Sequence, residues 1–232
     1  LSNSKSLKII MSIQGYPQLN LFRKLLWRYF YQKSHALICL TNKTKDILKK
    51  KVKISRPIYK IDNPLILNNY QYPKIKHKYL KLLKTNKSLK IISIGRLTYQ
   101  KNFGCLIDGV KNLKKKYPNF LLLIIGNGEL LSKLQNKIDI YDLNKNIKLT
   151  GFIKNPYIFY KYADLYISSS RWEEPGHTLI EAAYYKTPII TSNCLNGPKE
   201  IFKDKSGIMF NNNDSSDLSK KINLFLSLNK NK

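Results

Sequence analysis

The alternation of short apolar segments with helical segments between residues 89 and 228 constrains the fold more than any other feature of the chain. The apolar runs are nearly continuous, whereas a sheet with one face in water would show alternate polar residues. They therefore predict a parallel sheet covered by helices on both faces, in a Rossmann-like α/β domain over residues 89–232. The predicted strands are 89–94, 120–125, 146–150, 164–168 and 188–192, and the clearest helices are 103–117 and 129–140.

Residues 1–70 repeat this alternation in a shorter form. Three strands make only a partial sheet, so we predict a partial Rossmann-like α/β domain in this part of the chain. Residues 71–88 are rich in lysine and contain Pro73, which indicates a connector between the two domains. The predicted N-terminal strands are 7–13, 36–40 and 58–61, and the predicted helices are 19–32 and 43–50.

The net charge of +28, from 42 basic and 14 acidic residues, is unusually high. Such a charge suits a polyanionic partner, either nucleic acid or an anionic membrane surface. Only five of the basic residues are arginine, however, and the lysines are scattered along the whole chain. Readout of bases favours the rigid fork of arginine, so the pattern argues against nucleic acid and indicates a general lysine bias. Contact with an anionic membrane surface remains an alternative.

Cysteine usage and hydropathy indicate a cytoplasmic protein. Cys39, Cys105 and Cys194 are far apart and odd in number, which fits neither a disulfide framework nor a metal knuckle, so we expect them to be buried and reduced. No apolar run approaches the roughly 18 residues of a membrane span. The first residues show no apolar segment with a small-residue cleavage site, so we expect no export. Peripheral contact with the inner face of the cell membrane is the alternative location.

The predicted helix 19–32 supports two interpretations. Its basic residues lie opposite an apolar face, and Trp27 lies nearby. The apolar face is suited to packing against the partial sheet, but a basic amphipathic helix with flanking aromatic residues also suits an interfacial membrane contact. The apolar face comprises Leu21, Phe22, Leu25, Leu26, Tyr29 and Phe30, and the basic residues are Arg23, Lys24 and Arg28.

The segment 168–200 carries the most informative polar residues. A strand ends near Ser168, a loop carries Glu173, and Pro175-Gly176 opens a helix that contains Glu181. Ligands of open α/β sheets bind beyond the carboxyl ends of the strands. Glu181 lies about one turn inside this helix, where its carboxylate is placed to accept hydrogen bonds from two vicinal hydroxyls. The helix start predicts an anion site made by the backbone N–H groups of Gly176, His177 and Thr178.

A basic cluster follows the first strand of the same half, in G-R-L-T-Y-Q-K-N. Arg96 and Lys101 lie on this strand-to-helix loop, which leaves the same edge of the sheet as the Glu173 loop. Two cations and a helix start suit a diphosphate, whose charge one lysine would neutralise poorly. The glycines of G-N-G at 126–128 allow close approach of another backbone, because glycine has no Cβ.

These motifs together resemble those of a known family. Glu173 and Glu181 form an E-x(7)-E motif with Gly176 in the expected place, and G-R-L-x-x-x-K-N, G-N-G-E, L-T-G-F and A-D-L-Y-I-S-S-S follow the family's order. The chain resembles the retaining, nucleotide-sugar-dependent glycosyltransferases of family 4 (group 1), which have the GT-B fold. The resemblance covers residues 91–226 well and residues 7–64 more loosely.

The resemblance implies roles for individual residues. Arg96 and Lys101 would grip the donor diphosphate, Glu181 would bind the ribose hydroxyls, and Glu173 would contact the transferred sugar near its anomeric carbon. With no D-x-D triplet in the chain, we expect no metal and no cofactor, the nucleotide diphosphate sugar being a substrate. We interpret Glu173, Arg96 and Lys101 as catalytic. The expected donor-binding residues are Gly95, Arg96, Lys101, Gly126, Asn127, Gly128, Glu173, Gly176, His177, Thr178, Leu179 and Glu181.

The resemblance also implies transfer of a sugar, with retention, to a hydroxyl of a glycan or lipid-linked acceptor. G-P-K-E at 197–200 is similar to a variant in members that act on surface polysaccharide, lipopolysaccharide or lipid-linked glycans. Two features depart from the family. Pro175 stands where an aromatic residue is usual, and the family's N-terminal domain is normally well over twice as long as residues 1–65. The alternative hypothesis is therefore an inactive remnant of a split or degraded gene that still binds a nucleotide sugar.

Overall fold

A computed structural model describes residues 7–63, 77–85, 88–202 and 207–228. The described residues form two compact units. Unit 1 contains residues 7–63 together with Glu173–Pro175, and unit 2 contains the remainder. The predicted N-terminal domain boundary at residue 70 lies outside the described residues, as do residues 71–76 and 86–87 of the predicted connector over 71–88; the described part of that connector contains the helix Lys78–Thr85.

Unit 1 contains a parallel sheet of three strands in the order β1-β2-β3. Leu37 and Cys39 of the central strand pack against Leu48 and Val52, which lie on a π-helical segment Leu48–Val52 that continues the second helix. The predicted strands and helices are all present, with bounds that differ by up to three residues. They are β1 (Ile10–Ile13), α1 (Leu21–Tyr31), β2 (Ala36–Cys39), α2 (Asn42–Ile47) and β3 (Ile58–Lys60).

Unit 2 contains a parallel sheet of six strands, ordered β6-β5-β4-β7-β8-β9. The chain runs outward from β4 to β6, then returns and runs outward the other way from β7 to β9, so the strand order reverses between β4 and β7. Ligands of such sheets bind at this reversal, beyond the carboxyl ends of the strands. The strands are β4 (Lys90–Ile94), β5 (Leu121–Ile125), β6 (Ile147–Leu149), β7 (Leu165–Ser168), β8 (Ile189–Ser192) and β9 (Ile208–Phe210).

Helices cover both faces of this sheet, which confirms the predicted α/β architecture. One core cluster joins the sheet to α4, α6 and α10, and a second joins it to α3, α7 and α8. All five residues of β5 are buried, as a strand covered on both faces requires. The helices are α3 (Lys78–Thr85), α4 (Phe103–Val110), α5 (Leu113–Lys116), α6 (Leu131–Ile140), α7 (Tyr157–Tyr162), α8 (His177–Tyr184), α9 (Pro198–Ile201) and α10 (Ser215–Leu228).

Two details of unit 2 differ from the prediction. The helix predicted over 103–117 is two helices, because the chain turns at Lys111 and Asn112, both exposed, and asparagine is a poor helix former. The sixth strand, β9, was not predicted because its three residues are too few to show a period.

Helix α1 shows that packing of its apolar face into the core was the wrong interpretation. All six residues of that face are exposed, Leu21 at 75% and Phe22 at 72%. The helix contacts the unit 1 core through the partly buried Trp27 and Tyr31 instead. None of the helices in the described part of the chain has the length and apolar character needed to cross a membrane.

Candidate functional site

The loop that follows β4 runs alongside the chain that follows β5. Gly95 N–H donates to Ile125 O at 3.0 Å, and Leu97 N–H donates to Asn127 O at 2.9 Å. A Cβ placed on Gly126 would lie 1.9 Å from Gly95 O, and the φ of Gly126 is +147°. G-N-G therefore allows a close backbone approach, as predicted, and the neighbouring backbone is the protein's own Gly95–Leu97 loop.

A pocket of about 510 Å³ lies where these two loops meet. Gly95, Arg96 and Asn127 line one part of it, and the segment 152–156 after β6 lines the rest. Phe152 is largely exposed at this pocket. From the sequence, L-T-G-F was only a motif of the resemblance, and no role was predicted for this segment. An aromatic residue directly after a strand and a glycine was nevertheless a usable signal.

Lys101 lies beside Gly95 in unit 2, and its charge acts on Glu181. The aliphatic part of the Lys101 side chain lies about 3 Å from the position a Cβ would take on Gly95. Burial raises the pKa of the Glu181 carboxyl, while the hydrogen bond from Tyr160 and the charge of Lys101 act in the opposite direction. The loop cation and the helix carboxylate, separated by 80 positions in sequence, thus act on each other electrostatically.

Tyr160 orients Glu181, a contact that the sequence analysis did not anticipate. Its hydroxyl donates to Glu181 Oε2 at 2.9 Å, and burial holds the pKa of Tyr160 well above its usual range. Tyr166 donates in a similar way to Thr178 Oγ1 at 2.8 Å. The carboxylate and hydroxyl of α8 therefore face fixed phenol groups, one from α7 and one from β7.

The start of α8 has the form predicted from Pro175-Gly176. Gly176 has a φ of +101°, in the left-handed region that favours glycine, and no side chain caps the helix. Leu179 N–H donates to Gly176 O at 3.0 Å, and the Leu179 side chain is fully buried in the core. The amide of Leu179 thus donates to the protein's own backbone, and its side chain packs in the core of unit 2.

The predicted sugar-contacting residue, Glu173, belongs to unit 1 and is only 4% exposed. Its neighbour Glu174 accepts hydrogen bonds from Thr41 Oγ1 at 2.8 Å and from Thr44 Oγ1 at 2.7 Å. Thr41 is also the N-cap of α2. No role for Glu174 was predicted from the sequence, because its two partners lie more than 120 positions away.

Hydrogen bonds join the Lys101 loop to the segment before Glu173 within unit 2. Ser169 Oγ donates to Lys101 O at 2.9 Å, Arg171 N–H donates to Gln100 O at 2.8 Å, and Gln100 Nε2 donates to Trp172 O at 3.0 Å. A shift of one segment would therefore displace the other.

The described residues offer no cluster for a metal ion, and their cysteines form no disulfide. No three His, Cys, Asp or Glu side chains among these residues lie close enough together to hold an ion. The three cysteines are free and buried, as expected.

Comparison with known proteins identifies relatives in one family. The family model for glycosyl transferases group 1 matches residues 76–232. The chain is 37% identical over 199 residues to an uncharacterized glycosyltransferase of Methanocaldococcus jannaschii, covering 82% of this chain and 48% of that protein. It is 39% identical over 118 residues to the amylovoran biosynthesis glycosyltransferase AmsD of Erwinia amylovora, covering 51% of this chain and 33% of the relative. The chain thus spans about half the length of these relatives, or less.

The fold also matches solved structures. The crystal structure of Anabaena HepE in complex with UDP-glucose has a TM-score of 0.82, with 17% identity, covering 96% of this chain and 64% of that one. Likeness at this identity shows the shared fold, and it confirms the prediction of a GT-B type architecture.

Proposed function

The chain belongs to the glycosyl transferases group 1 family, and on that premise we propose that it transfers a sugar, with retention, from a nucleotide diphosphate sugar to a hydroxyl acceptor. One observation carries the proposal. Lys101 lies beside Gly95 in unit 2, directly after the carboxyl end of β4, and its charge acts on Glu181; open α/β sheets bind ligands at this edge.

The charges of this cluster suit a donor diphosphate. When the bond to the sugar breaks, negative charge builds on the leaving diphosphate, and cations held in place at its oxygens lower the barrier. Preorganised donors of this kind contribute about 10²- to 10³-fold in rate each. Arg96 and Lys101 are the cations assigned to the diphosphate, and Glu181 accepts hydrogen bonds from the ribose hydroxyls.

The pocket at Phe152 is suited to the nucleoside base. Its volume of about 510 Å³ lies within the usual range for small-molecule sites, and Arg96 at its margin connects it to the diphosphate position. HepE, which has the same fold, was crystallised in complex with UDP-glucose, and this supports a nucleotide sugar as the ligand class. Glu173, assigned through the resemblance, contacts the transferred sugar near its anomeric carbon.

The acceptor is proposed to be a hydroxyl of a surface polysaccharide, a lipopolysaccharide or a lipid-linked glycan. The relative named for amylovoran biosynthesis supports this class of product. In this proposal the chain works at the inner face of the cell membrane, because the exposed apolar residues of α1 beside its basic ones suit peripheral contact with an anionic membrane surface. The transfer needs no metal in this proposal, because the two cations replace the charge of an ion.

Calorimetry with UDP- and GDP-linked sugars tests the donor site. We expect at least one of them to bind with a dissociation constant below about 1 mM, the weak end of specific binding. If none binds, the donor-site assignment is wrong. Release of free nucleotide diphosphate on addition of a glycan or lipid-linked acceptor then distinguishes a transferase from an inactive remnant, which binds the donor without turnover.

A further inference from the structure

Unit 2 contains a second cavity, of about 460 Å³, at the N-terminal ends of α4, α6 and α10. We call it the Arg171 pocket, defined by Tyr99, Asn102, Phe103, Lys133, Leu134 and Arg171. It shares no residue with the predicted donor site, so it needs an explanation of its own.

One wall of the Arg171 pocket is apolar. Phe103 and Leu134 are buried members of the unit 2 core, and Leu130 packs against them. Cys105 also lines the pocket, and burial raises the pKa of its thiol to about 11, so the thiol is neutral at physiological pH. This wall suits a ring or a short hydrocarbon segment.

The lining of the pocket has a net positive charge, with three cations and one carboxylate, Asp108. Of its three cations, Lys137 is paired with Asp108 at 2.6 Å, and Tyr141 donates to the other oxygen of that carboxylate at 2.7 Å. Lys133 and Arg171 form no ion pair with any carboxylate of the described residues. Asp214, which does not line the pocket, acts electrostatically on Cys105, so the three cations still exceed the two nearby carboxylates by one charge.

Arg171 retains hydrogen-bonding capacity. Its guanidinium lies over the Tyr99 ring at 4.2 Å, and its Nη2 donates to Asn102 Oδ1 at 3.1 Å. Its Nε–H is buried and has no acceptor among the described residues. A buried donor without a partner is costly, and a guanidinium prefers the oxygens of a carboxylate or phosphate.

We propose that the Arg171 pocket is a second ligand site, which takes a small organic anion with an apolar body and a carboxylate or phosphate group. The anion faces Arg171 and Lys133, and the apolar body lies against Phe103 and Leu134. The two cations give the site a preference for anions, and the apolar wall distinguishes an organic anion from a bare inorganic one.

Occupation of this site acts on donor binding, an inference that rests on the proposed function. Arg171 N–H is bonded to Gln100 O in the loop that carries Lys101, and Trp172, next to Arg171, accepts from Gln100 Nε2. Asn212 Nδ2 also donates to Arg171 O at 3.0 Å. An anion that binds the guanidinium therefore shifts the same backbone that positions Lys101 and changes the affinity for the nucleotide. By thermodynamic linkage, the nucleotide changes the affinity for the anion by the same factor.

Titration of the whole chain with phenyl phosphate, 1-naphthoate and inorganic phosphate tests the site, in the absence of nucleotide. We expect the two aromatic anions to bind at least about tenfold more tightly than inorganic phosphate, since each tenfold step needs only a modest apolar contact. Lys133→Glu should weaken them about tenfold, whereas Lys115→Glu, the same charge change at an exposed residue outside the pocket, should leave affinity within about twofold. Equal losses in both variants, or equal affinity for inorganic phosphate, would show nonspecific attraction to a lysine-rich surface and overturn the proposal.

Alkylation of Cys105 provides a readout specific to the pocket. At about pH 9, where a small fraction of the thiol is ionised, peptide mapping by mass spectrometry follows Cys105 separately from the other two cysteines. Saturating 1-naphthoate should slow alkylation of Cys105 at least about fivefold and leave Cys39 unchanged, because a bound body covers its approach. Unchanged reactivity of Cys105 with the probe bound would place the probe elsewhere and overturn the assignment.

The coupling has a separate test. Saturating 1-naphthoate should change the dissociation constant of the bound nucleotide sugar by at least about fivefold, the lower end of ordinary allosteric coupling. No change overturns the coupling while the titration still supports the site. A chain that binds the probe but no nucleotide sugar would overturn the proposed function and the coupling together, and would leave the second site supported.

Discussion

Glu181 is a residue at which burial and proposed function act against each other. Burial favours the neutral acid and raises the pKa of Glu181, whereas acceptance of two ribose hydroxyls needs the carboxylate. Tyr160 and Lys101 partly offset the burial, since both stabilise the charged form. The residue is thus held ready for a polar ligand at some cost to the folded state.

Replacing Glu181 by Gln should separate binding from stability. The amide has one acceptor oxygen in place of two charged ones, so binding of the nucleoside diphosphate should weaken by about 1.5 to 3 kcal/mol. The free energy of unfolding at neutral pH should not fall, because the amide still accepts from Tyr160 and no charge is buried. Calorimetry and urea unfolding measure the two effects. Glu129→Gln, at an exposed residue, is the control, and equal affinities in both variants would contradict the role of Glu181.

The same carboxyl predicts a pH dependence. The pKa of Glu181 is higher in the folded protein than its unfolded value of 4.5, so protonation of this carboxyl stabilises the folded state. The stabilisation is fully present below pH 4.5 and is lost as pH rises through the pKa of the folded protein. Nucleotide affinity should depend on pH in the opposite direction, because the ribose hydroxyls bind the charged carboxylate. The affinity should increase as pH rises from 4.5 through the raised pKa of Glu181 and then level off. Titrations at constant ionic strength measure this rise. It should be absent in Glu181→Gln, and a rise of equal size in that variant would assign it to another group.

We expect substitutions of Arg96 and Lys101 to change ligand affinities in a different pattern from substitution of Glu181. Their replacement by Ala should spare binding of the free nucleoside and weaken that of the nucleotide sugar, because the lost charges face only the diphosphate. A charge-assisted contact of this kind contributes about 1.5 to 3 kcal/mol. Calorimetry with nucleoside, nucleoside diphosphate and nucleotide sugar measures the pattern. Equal losses for all three ligands, with a lowered unfolding free energy, would indicate a structural role instead.

Gly126 predicts a stability effect of its own. Gly126→Ala would place a Cβ 1.9 Å from Gly95 O at a φ of +147°, so the two loops must separate. We expect a loss of about 2 to 4 kcal/mol in the free energy of unfolding, measured in urea. Gly104→Ala is the matched control, because this residue lies in a helix and its Cβ would be 4.0 Å from the nearest neighbouring atom. This substitution should raise the free energy of unfolding by no more than about 1 kcal/mol. Similar values for both variants would contradict the close-approach argument.

At the scale of secondary-structure elements, helix α1 of unit 1 has an apolar face that is exposed. Its exposed apolar face, beside Arg23 and Arg28, predicts binding to anionic vesicles that salt weakens. Arg23→Gln with Arg28→Gln should reduce binding by about 1 kcal/mol per charge removed. Leu25→Ser should reduce it as well, whereas Ile140→Ser, at an exposed residue of unit 2, should not. Cosedimentation measures binding, and equal binding to neutral and anionic vesicles would exclude the electrostatic part.

At the scale of the whole molecule, the donor-site assignment predicts where a nucleotide sugar confers protection. At a concentration about 100 times its dissociation constant, the ligand should stabilise the unit that binds it by about 2.7 kcal/mol. Hydrogen exchange should therefore slow at the amides of Gly95 and Leu97, next to Arg96, and at those of β5. Exchange in β1 and β2 of unit 1 provides the internal comparison. Equal slowing throughout both units would contradict a donor site built on the loops of unit 2.

The sequence by itself determined the features that depend on local pattern. Continuous apolar runs between helical segments predicted parallel sheets, since a strand buried on both faces has no place for polar residues, and motif order placed Arg96, Lys101 and Glu181 on loops and a helix beside the strand ends. Only the tertiary structure decided what those residues contact. The amphipathic pattern of α1 predicted one apolar face but not that this face is exposed. The period shows which residues share a face of the helix, and it does not show which other residues pack against that face. Tyr160 on Glu181, Thr41 on Glu174 and the uncompensated Arg171 depend on strand order and loop path, which bring together residues that no local period relates.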